Sequence, residues 1–359
     1  MRLTAFSRPL ARSPGRTALA LGLALALAAC GGTAPKQPTA TTEPTPAAPP
    51  AAAPATPPVR IGLALGGGAA KGFAHIGVIK MLEANGLVPA VVSGTSAGSV
   101  VGAMYASGMN AFELQEKAVA LDEARIRDLQ LSSGGLVLGQ KLEDYVNEQV
   151  RRKPLEQMAK PFVAVATRLE DGERTVFARG NPGQAVRASA SVPGVFQPVS
   201  IGKHHFVDGG IVSPVPVDAA RQLGADIVIA VDISSKARGQ TPGNMLGALN
   251  QSIAIMGQKL GQAELARAEV IIRPQVLDIG PADFSQRAAA IVEGEKAALA
   301  VMPQIRERVA KIQEERMATA RAAQQKMAQE QYQACLDNRS RLQKMAGMAG
   351  MDSGCVAPR

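Results

Sequence analysis

The sharpest chemical signal in this chain is a serine set between glycines, Gly94-Thr95-Ser96-Ala97-Gly98. An apolar run precedes it and a small-residue helical pattern follows. A nucleophilic hydroxyl needs that setting: a tight strand-to-helix turn raises the side chain, and small flanking residues let neighbouring backbone pass close by. The helix that begins there also points N–H groups and a positive dipole end at any negative charge that develops. A second signal is Gly66-Gly67-Gly68-Ala69-Ala70-Lys71-Gly72, again between a strand-like run and a helix-like one. It does not fit a Walker loop, because Lys71 is followed by Gly72 and not by Ser or Thr. A dinucleotide loop counted from Gly66 and Gly68 requires glycine where Lys71 stands. What remains is a backbone cradle for an anion, and in an acyl hydrolase that anion is the tetrahedral oxyanion. A third signal is Val207-Asp208-Gly209-Gly210, a carboxylate at the end of a short strand. By itself it reads as a turn. Beside a serine nucleophile it supplies a base.

Histidine is scarce, with only His75, His204 and His205 present. No histidine follows Asp208, so Asp208 cannot be the acid of a Ser–acid–His order. A Ser96–Asp171–His204 triad is formally available but has no supporting motif, and a Ser–Asp dyad is the more economical reading. There is no H-E-x-x-H sequence and no Cys/His ligand spacing, so no metal is expected. No other cofactor is called for.

The glycine loop, the helix with His75-Ile76-Gly77-Val78, the Gly94–Gly98 turn and the Asp208-Gly209-Gly210 turn resemble, in order and spacing, the patatin-like phospholipase family. Ala188-Ser189-Ala190-Ser191-Val192-Pro193-Gly194 resembles a fourth block of that family. The similarity is clear from about Val59 to Ile233 and weaker to about Met302, and it is closest to the bacterial stand-alone members. The resemblance implies a three-layer α/β/α domain and a Ser–Asp dyad. Ser96 would be the nucleophile and Asp208 its base, with the amides of Gly67 and Gly68, and of Gly66, at the oxyanion. Gly72, Gly94, Gly98, Gly209 and Gly210 would support these motifs, and Pro193 would shape a loop near the dyad. Lys71 replaces the commoner Arg of the family, which changes the hydrogen-bonding geometry but keeps the charge. The implied substrates are lipid acyl esters such as phospholipids or lysophospholipids. A thioesterase or general carboxylesterase on the same dyad, or a non-catalytic envelope lipoprotein, are the alternatives.

The elements that must hold these groups alternate. Strand signals fall at Val59–Leu65, Ala90–Ser93, Phe162–Arg168, Thr175–Ala178, His205–Asp208, Asp226–Ile233 and Val270–Arg273. Helical spacing covers Ala69–Asn85, Ala97–Ser107, parts of Ala111–Arg152, Pro216–Leu223, Met245–Arg267 and Ser285–Met302. The nearly continuous apolar run Asp226–Ile233 suits a central strand covered on both faces. Such alternation predicts an α/β fold with a mostly parallel central sheet between helical layers. Gln304–Ala346, rich in Ala, Gln, Lys, Arg and Glu, reads as a helical C-terminal extension. It suits either a partly solvated terminal helix or a partner-binding or coiled-coil one.

The N-terminus reads as an address. Met1–Ala29 carries four arginines and no acid, then a Leu/Ala-rich run too short to span a bilayer. Leu27-Ala28-Ala29-Cys30 resembles the lipobox of bacterial lipoproteins, which implies cleavage before Cys30 and its acylation; several acyl chains anchor far better than one. An ordinary secretory signal with an accidental cysteine is the alternative. Gly31 in place of Asp favours outer-membrane sorting in a Gram-negative source, so the expected location is the cell envelope. Removing the four arginines lowers the formal charge from +9 to +5, a mild basic excess that suits an anionic membrane surface or a merely basic enzyme. Thr33–Pro58 is almost wholly Pro, Ala and Thr, a spacer that cannot bury a core. The expected organisation is a signal peptide at 1–29, a lipidated Cys30 with linker at 30–58, a hydrolase domain at 59–302 and a helical tail at 303–359. Cys335 and Cys355 could pair in an oxidising envelope or remain free thiols. With no Trp and 3% aromatic residues, a base-stacking surface for nucleic acid is not expected.

Overall fold

A computed structural model describes residues 56–126, 128–132, 135–235 and 243–346, together with Gly354, Cys355, Ala357 and Pro358. The expected signal peptide, Cys30 and most of the linker lie outside the described residues.

Ten strands and eight helices are described. In chain order they are β1 (Ile61–Leu65), α1 (Phe73–Ala84), β2 (Val91–Thr95), α2 (Ala97–Ala106), α3 (Ala111–Val119), β3 (Leu129–Ser132), β4 (Gly135–Val137), α4 (Gln140–Gln149), β5 (Phe162–Arg168) and β6 (Arg174–Phe177). They continue as α5 (Pro182–Ser189), β7 (Val199–Ile201), β8 (His204–Asp208), α6 (Val217–Gln222), β9 (Ile227–Val231), α7 (Met245–Leu265), β10 (Val270–Ile272) and α8 (Arg287–Ala346). Eight of the strands form one sheet in the order β10-β9-β1-β2-β5-β8-β7, with β6 also paired to β5. The stretch from β10 to β5 is parallel; β6, β7 and β8 are antiparallel. β3 and β4 form a separate hairpin.

Strand alternation explains the layering. Successive side chains of a strand face opposite sides of the sheet. Ile61, Leu63 and Leu65 of β1, with Ile227, Ile229 and Val231 of β9, pack into a large core with α1, α2 and α8. The intervening Ala64, Val228 and Ala230 face a smaller core under α6 and the end of α7, with Val215, Val217 and Leu265. All of these strand residues are buried, and each fully buried Leu, Ile or Val contributes about 1.5–3 kcal/mol. The fold is the expected three-layer α/β/α arrangement with a mostly parallel sheet.

The C-terminal region differs from the sequence reading. The boundary expected at residues 302 and 303 does not interrupt the chain: α8 is a single 60-residue helix that runs through Pro303. Proline removes a backbone hydrogen bond and normally kinks or ends a helix. Here packing on both sides outweighs it, because Met302 and Ile305 are both buried and Val309 and Ile312 pack against the same core. Arg316 then pairs with Asp226 and donates to the carbonyls of Pro57 and Pro58. Beyond it the helix is largely exposed. Cys335 and Cys355 are disulfide-bonded, with Cα atoms 6.0 Å apart. Among the described residues no helix is long and apolar enough to cross a membrane.

Candidate active site

Ser96 stands between β2 and α2 with φ 54° and ψ −123°, a left-handed conformation that costs a non-glycine residue about 1–3 kcal/mol. The surroundings hold it there. Its N–H donates to Ser189 Oγ at 2.9 Å, and Ser189 Oγ donates to the Val165 carbonyl at 2.6 Å, so the bend is tied to α5 and through it to β5. Ser99 Oγ donates to the Ser96 carbonyl at 2.7 Å. The first turn of α2 crosses so close over the end of β1 that a Cβ on Gly98 would lie 2.1 Å from the Leu65 carbonyl oxygen. Gly94 is equally confined, its Cβ position 2.5 Å from the Gly98 oxygen.

Strand pairing brings Asp208 to this bend. β5 pairs with β2 over Phe162–Val165 and with β8 over Ala166–Arg168. β6 pairs with β5 over Ala164–Thr167 and so overlaps both registers. A strand has two edges, so β2 and β8 must share the edge opposite β6. They meet end to end there: Thr95 is opposite Val165, and Asp208 is opposite the next residue, Ala166. The last residue of β8 is thereby delivered beside the residue that follows β2. Asp208 is anchored by its N–H to the Ser191 carbonyl at 2.9 Å and by its carbonyl, which accepts from Thr167 Oγ1 at 2.8 Å. Gly209 must be glycine, since a Cβ would sit 2.1 Å from the Val165 oxygen.

The Asp208 carboxyl group is 6% exposed. Burial pushes its pKa up to about 6, against the opposing pull of the Ser96 side chain and the Gly210 amide. Oδ1 accepts the Gly210 N–H at 2.7 Å. Oδ2 is buried without a partner in full hydrogen-bonding geometry, so the contact with Ser96 is close but not closed.

The glycine loop corrects the expected oxyanion donors. The Gly66 N–H is bonded to the Val231 carbonyl at 3.1 Å and the Gly67 N–H to the Pro214 carbonyl at 3.0 Å. Both amides are occupied in holding the loop against β9 and the segment after Asp208. Gly68 and Ala69 donate no backbone hydrogen bond among the described residues, and Ala69 has a left-handed φ of 53°. Gly67 remains in the site as the wall of the bend, its Cβ position 3.2 Å from the Ser96 Cβ. Gly72 packs a 3-10 turn onto Ala97. Lys71 is 3% exposed and donates to Ser235 Oγ at 2.6 Å. Pro193 lies half-buried in the turn after α5, two residues beyond the Ser191 carbonyl that anchors Asp208.

The histidines stand apart from the hydroxyl. His75 is fully buried on α1, and its Nε2–H donates to the Gly66 carbonyl at 2.8 Å. A carbonyl only accepts, so Nε2 carries the proton; burial pushes the ring's pKa down to about 4, leaving it neutral. Its contribution is to fix the first peptide of the glycine loop. His204 and His205 begin β8 beside Glu170. Four residues of strand place His204 about 13 Å from Asp208. Asp171, the acid of the alternative triad, is held by the Arg168 guanidinium. No cluster of His, Cys, Asp and Glu able to hold a metal occurs among the described residues.

Two groups escaped the sequence reading. Ser189 was visible only as part of a motif block. Glu264 is buried on α7, where it accepts from Ser213 Oγ and the Val215 N–H. Its only signal was a carboxylate between Ala263 and Leu265 near the end of a mostly uncharged helix.

Residues 63–221 match the family model of the patatin-like phospholipases. An NTE family protein of Mycobacterium tuberculosis is 36% identical over 198 residues, covering 55% of this chain and 54% of that protein. Patatin-like phospholipase domain-containing protein 6 of Homo sapiens is 33% identical over 184 residues, covering 49% of this chain and 13% of the human protein. The chain spans about half the length of the mycobacterial relatives it matches, and less of the human one. VipD from Legionella pneumophila shares the fold, with a TM-score of 0.50 and 15% identity over 69% of this chain and 67% of that one.

Proposed function

Since residues 63–221 form a patatin-like phospholipase domain, we propose that this chain hydrolyses acyl esters of lipids with Ser96 as nucleophile and Asp208 as base. The observation that carries the reading is the end-to-end meeting of β2 and β8 on one edge of β5, which sets a strained serine beside a buried, half-partnered carboxylate. Ser96 Oγ attacks the ester carbonyl while its proton passes to Asp208 Oδ2. The oxyanion forms near the unengaged amides of Gly68 and Ala69 and the positive end of α2; one well-placed donor is worth about 3–4 kcal/mol of barrier. The alcohol leaves with the proton from Asp208, giving an acyl-serine. Asp208 then takes a proton from water, whose oxygen attacks the acyl carbon; the bond to Ser96 Oγ breaks, Asp208 returns the proton to that oxygen, and the fatty acid is released. A raised carboxylate pKa suits a base that must also return its proton.

A lipid substrate is supported by α7. Met245, Leu249, Ile255, Met256 and Leu260 are exposed along it, and its Gly257 Cβ position is 3.6 Å from the carbonyl oxygen of Gly210, two residues after Asp208. Helix α7 thus packs against the turn that follows the reacting carboxylate and carries exposed apolar side chains beside it. Labelling by a fluorophosphonate probe tests the chemistry: wild type and His204→Ala should label, and Ser96→Ala should not. Loss of labelling in His204→Ala with retention in Asp208→Asn would replace the dyad by a triad.

We further propose that the chain is a lipoprotein of the bacterial envelope, anchored through Cys30 to the outer membrane and facing the periplasm. Cys30→Ser should move the protein from the membrane pellet to the soluble fraction. Retention in the pellet would assign the anchor to another segment.

A further inference from the structure

Asp208 and Glu264 are the two carboxylates among the described residues that are less than a tenth exposed, at 6% and 5%. Burying a carboxylate is costly unless its oxygens are well partnered, and Glu264 touches neither Ser96 nor Asp208. Its oxygens are taken by one short segment, Ser213-Pro214-Val215-Pro216: Oε1 accepts from Ser213 Oγ, and Oε2 accepts the Val215 N–H at 2.8 Å. Two of the four residues are prolines with no N–H. Of the two backbone donors left, Ser213 N–H goes to the Gly209 carbonyl at 2.8 Å and Val215 N–H goes to Glu264.

The carbonyls of the same segment point the other way. Ser213 O accepts from Thr95 Oγ1 at 2.8 Å, and Pro216 O accepts from Ser93 Oγ at 2.8 Å. Pro214 O accepts the Gly67 N–H at 3.0 Å. The segment therefore joins β2, which ends one residue before Ser96, to the glycine loop, and it begins five residues after Asp208. Glu264 is what holds it from the far side, reaching in from α7.

We propose that Glu264 is a positioning residue for the hydrolase: by fixing Ser213–Pro216 it sets the Gly67–Gly68 peptide, and with it the unengaged amides, against Ser96. This rests on the Ser96–Asp208 reading above. The role is geometric. An amide can replace the carboxylate, with its oxygen accepting from Val215 N–H and its NH₂ donating to Ser213 Oγ, whereas a methyl group leaves both donors without a partner.

The test compares wild type, Glu264→Ala, Glu264→Gln and Ser213→Ala for fluorophosphonate labelling rate per titrated active site, and for kcat and KM on a soluble short-chain ester. Displacement of the loop by about 1 Å predicts a roughly 10- to 100-fold fall in labelling rate and kcat for Glu264→Ala, with KM nearly unchanged. Glu264→Gln should recover to within about threefold of wild type. Ser213→Ala removes one of the two bonds, should fall about 3- to 10-fold, and carries the test if Glu264→Ala does not fold. Wild-type rates in Glu264→Ala or in Ser213→Ala would overturn the proposal, as would a Glu264→Gln defect equal to that of Glu264→Ala. Failure of the wild type itself to label would instead overturn the Ser96–Asp208 reading.

Discussion

Asp208→Asn should remove about 10²- to 10⁴-fold of turnover and at the same time make the folded protein more stable above pH 7. The native carboxyl pKa of about 6 stands against 3.8 for the free group. The folded state therefore holds this proton more tightly than the unfolded chain does. That contribution is fully present below about pH 3.8 and is lost as pH rises through about 6. At pH 8 the buried carboxylate opposes folding by up to about 3 kcal/mol, because burial outweighs the donors it meets. Asparagine is neutral at every pH, and its amide oxygen can still accept the Gly210 N–H. Urea titrations should show Asp208→Asn more stable than wild type at pH 8, with the difference closing by pH 4. A variant less stable than wild type at pH 8 would mean that partners, and not burial, dominate the carboxylate's surroundings. The same group sets the acid limb of activity. Wild-type kcat/KM should fall as pH drops through about 6, where Asp208 becomes protonated and can no longer accept the Ser96 proton. Stability and catalysis thus move in opposite directions at one carboxylate, as expected where an active group is held in an environment unfavourable to its charge.

The serine bend was legible because its constraints are local: a strand, one left-handed residue and a helix leave a five-residue pattern. The carboxylate beside it, Asp208, was legible only through its motif, because the reason it meets Ser96 is a pairing between segments more than 40 residues apart, with β2 and β8 sharing an edge of β5. No local periodicity encodes that. The glycine loop shows the limit of reading roles from a motif. Gly66, Gly67 and Gly68 look equivalent in sequence, yet the amides of Gly66 and Gly67 bind the Val231 and Pro214 carbonyls, so the open donors begin at Gly68. The central parallel strands were visible as apolar runs. Strand β6 was read one residue late, while strand β7 and helix α5 were missed because they are only three and eight residues long. In α5 the Asn181-Pro182 start was a usable cap signal: the Asn181 side chain accepts the Gln184 N–H, and proline fits the first helical turn. The boundary expected at 302 and 303 rested on a change of composition, which does not report that Met302 and Ile305 are buried in one core on either side of Pro303.

Those contacts belong to the crossing of α8 over α1, where Gly294→Ala should have its largest consequence. In an isolated helix this change favours helicity by about 1 kcal/mol. In the protein the added Cβ would lie 2.0 Å from the Ala74 carbonyl oxygen, and a Cβ at the facing Gly77 would lie 1.9 Å from the Ile291 carbonyl oxygen. Neither obstacle is a side chain that can rotate away, so the helices must separate and lose the packing of Ala74 and Val78 against Ala290, Ile291 and Ala298. Overpacking of this kind costs about 1–3 kcal/mol or more, so thermal unfolding should show a net destabilisation despite the better helix former. Gly257→Ala on α7 is the control. Its Cβ would meet only the Gly210 oxygen at 3.6 Å, an ordinary contact, and the same substitution should there be neutral or stabilising. The effect at the crossing should also reach the site. α1 carries His75, whose Nε2–H holds the Gly66 carbonyl; a shift of α1 therefore moves the glycine loop relative to Ser96. Gly294→Ala should lose labelling rate per folded molecule as well as stability, whereas Gly257→Ala should keep both. If Gly294→Ala lost stability alone, α1 would be free to move without disturbing the loop, and the hydrogen bond from His75 would not be what holds it.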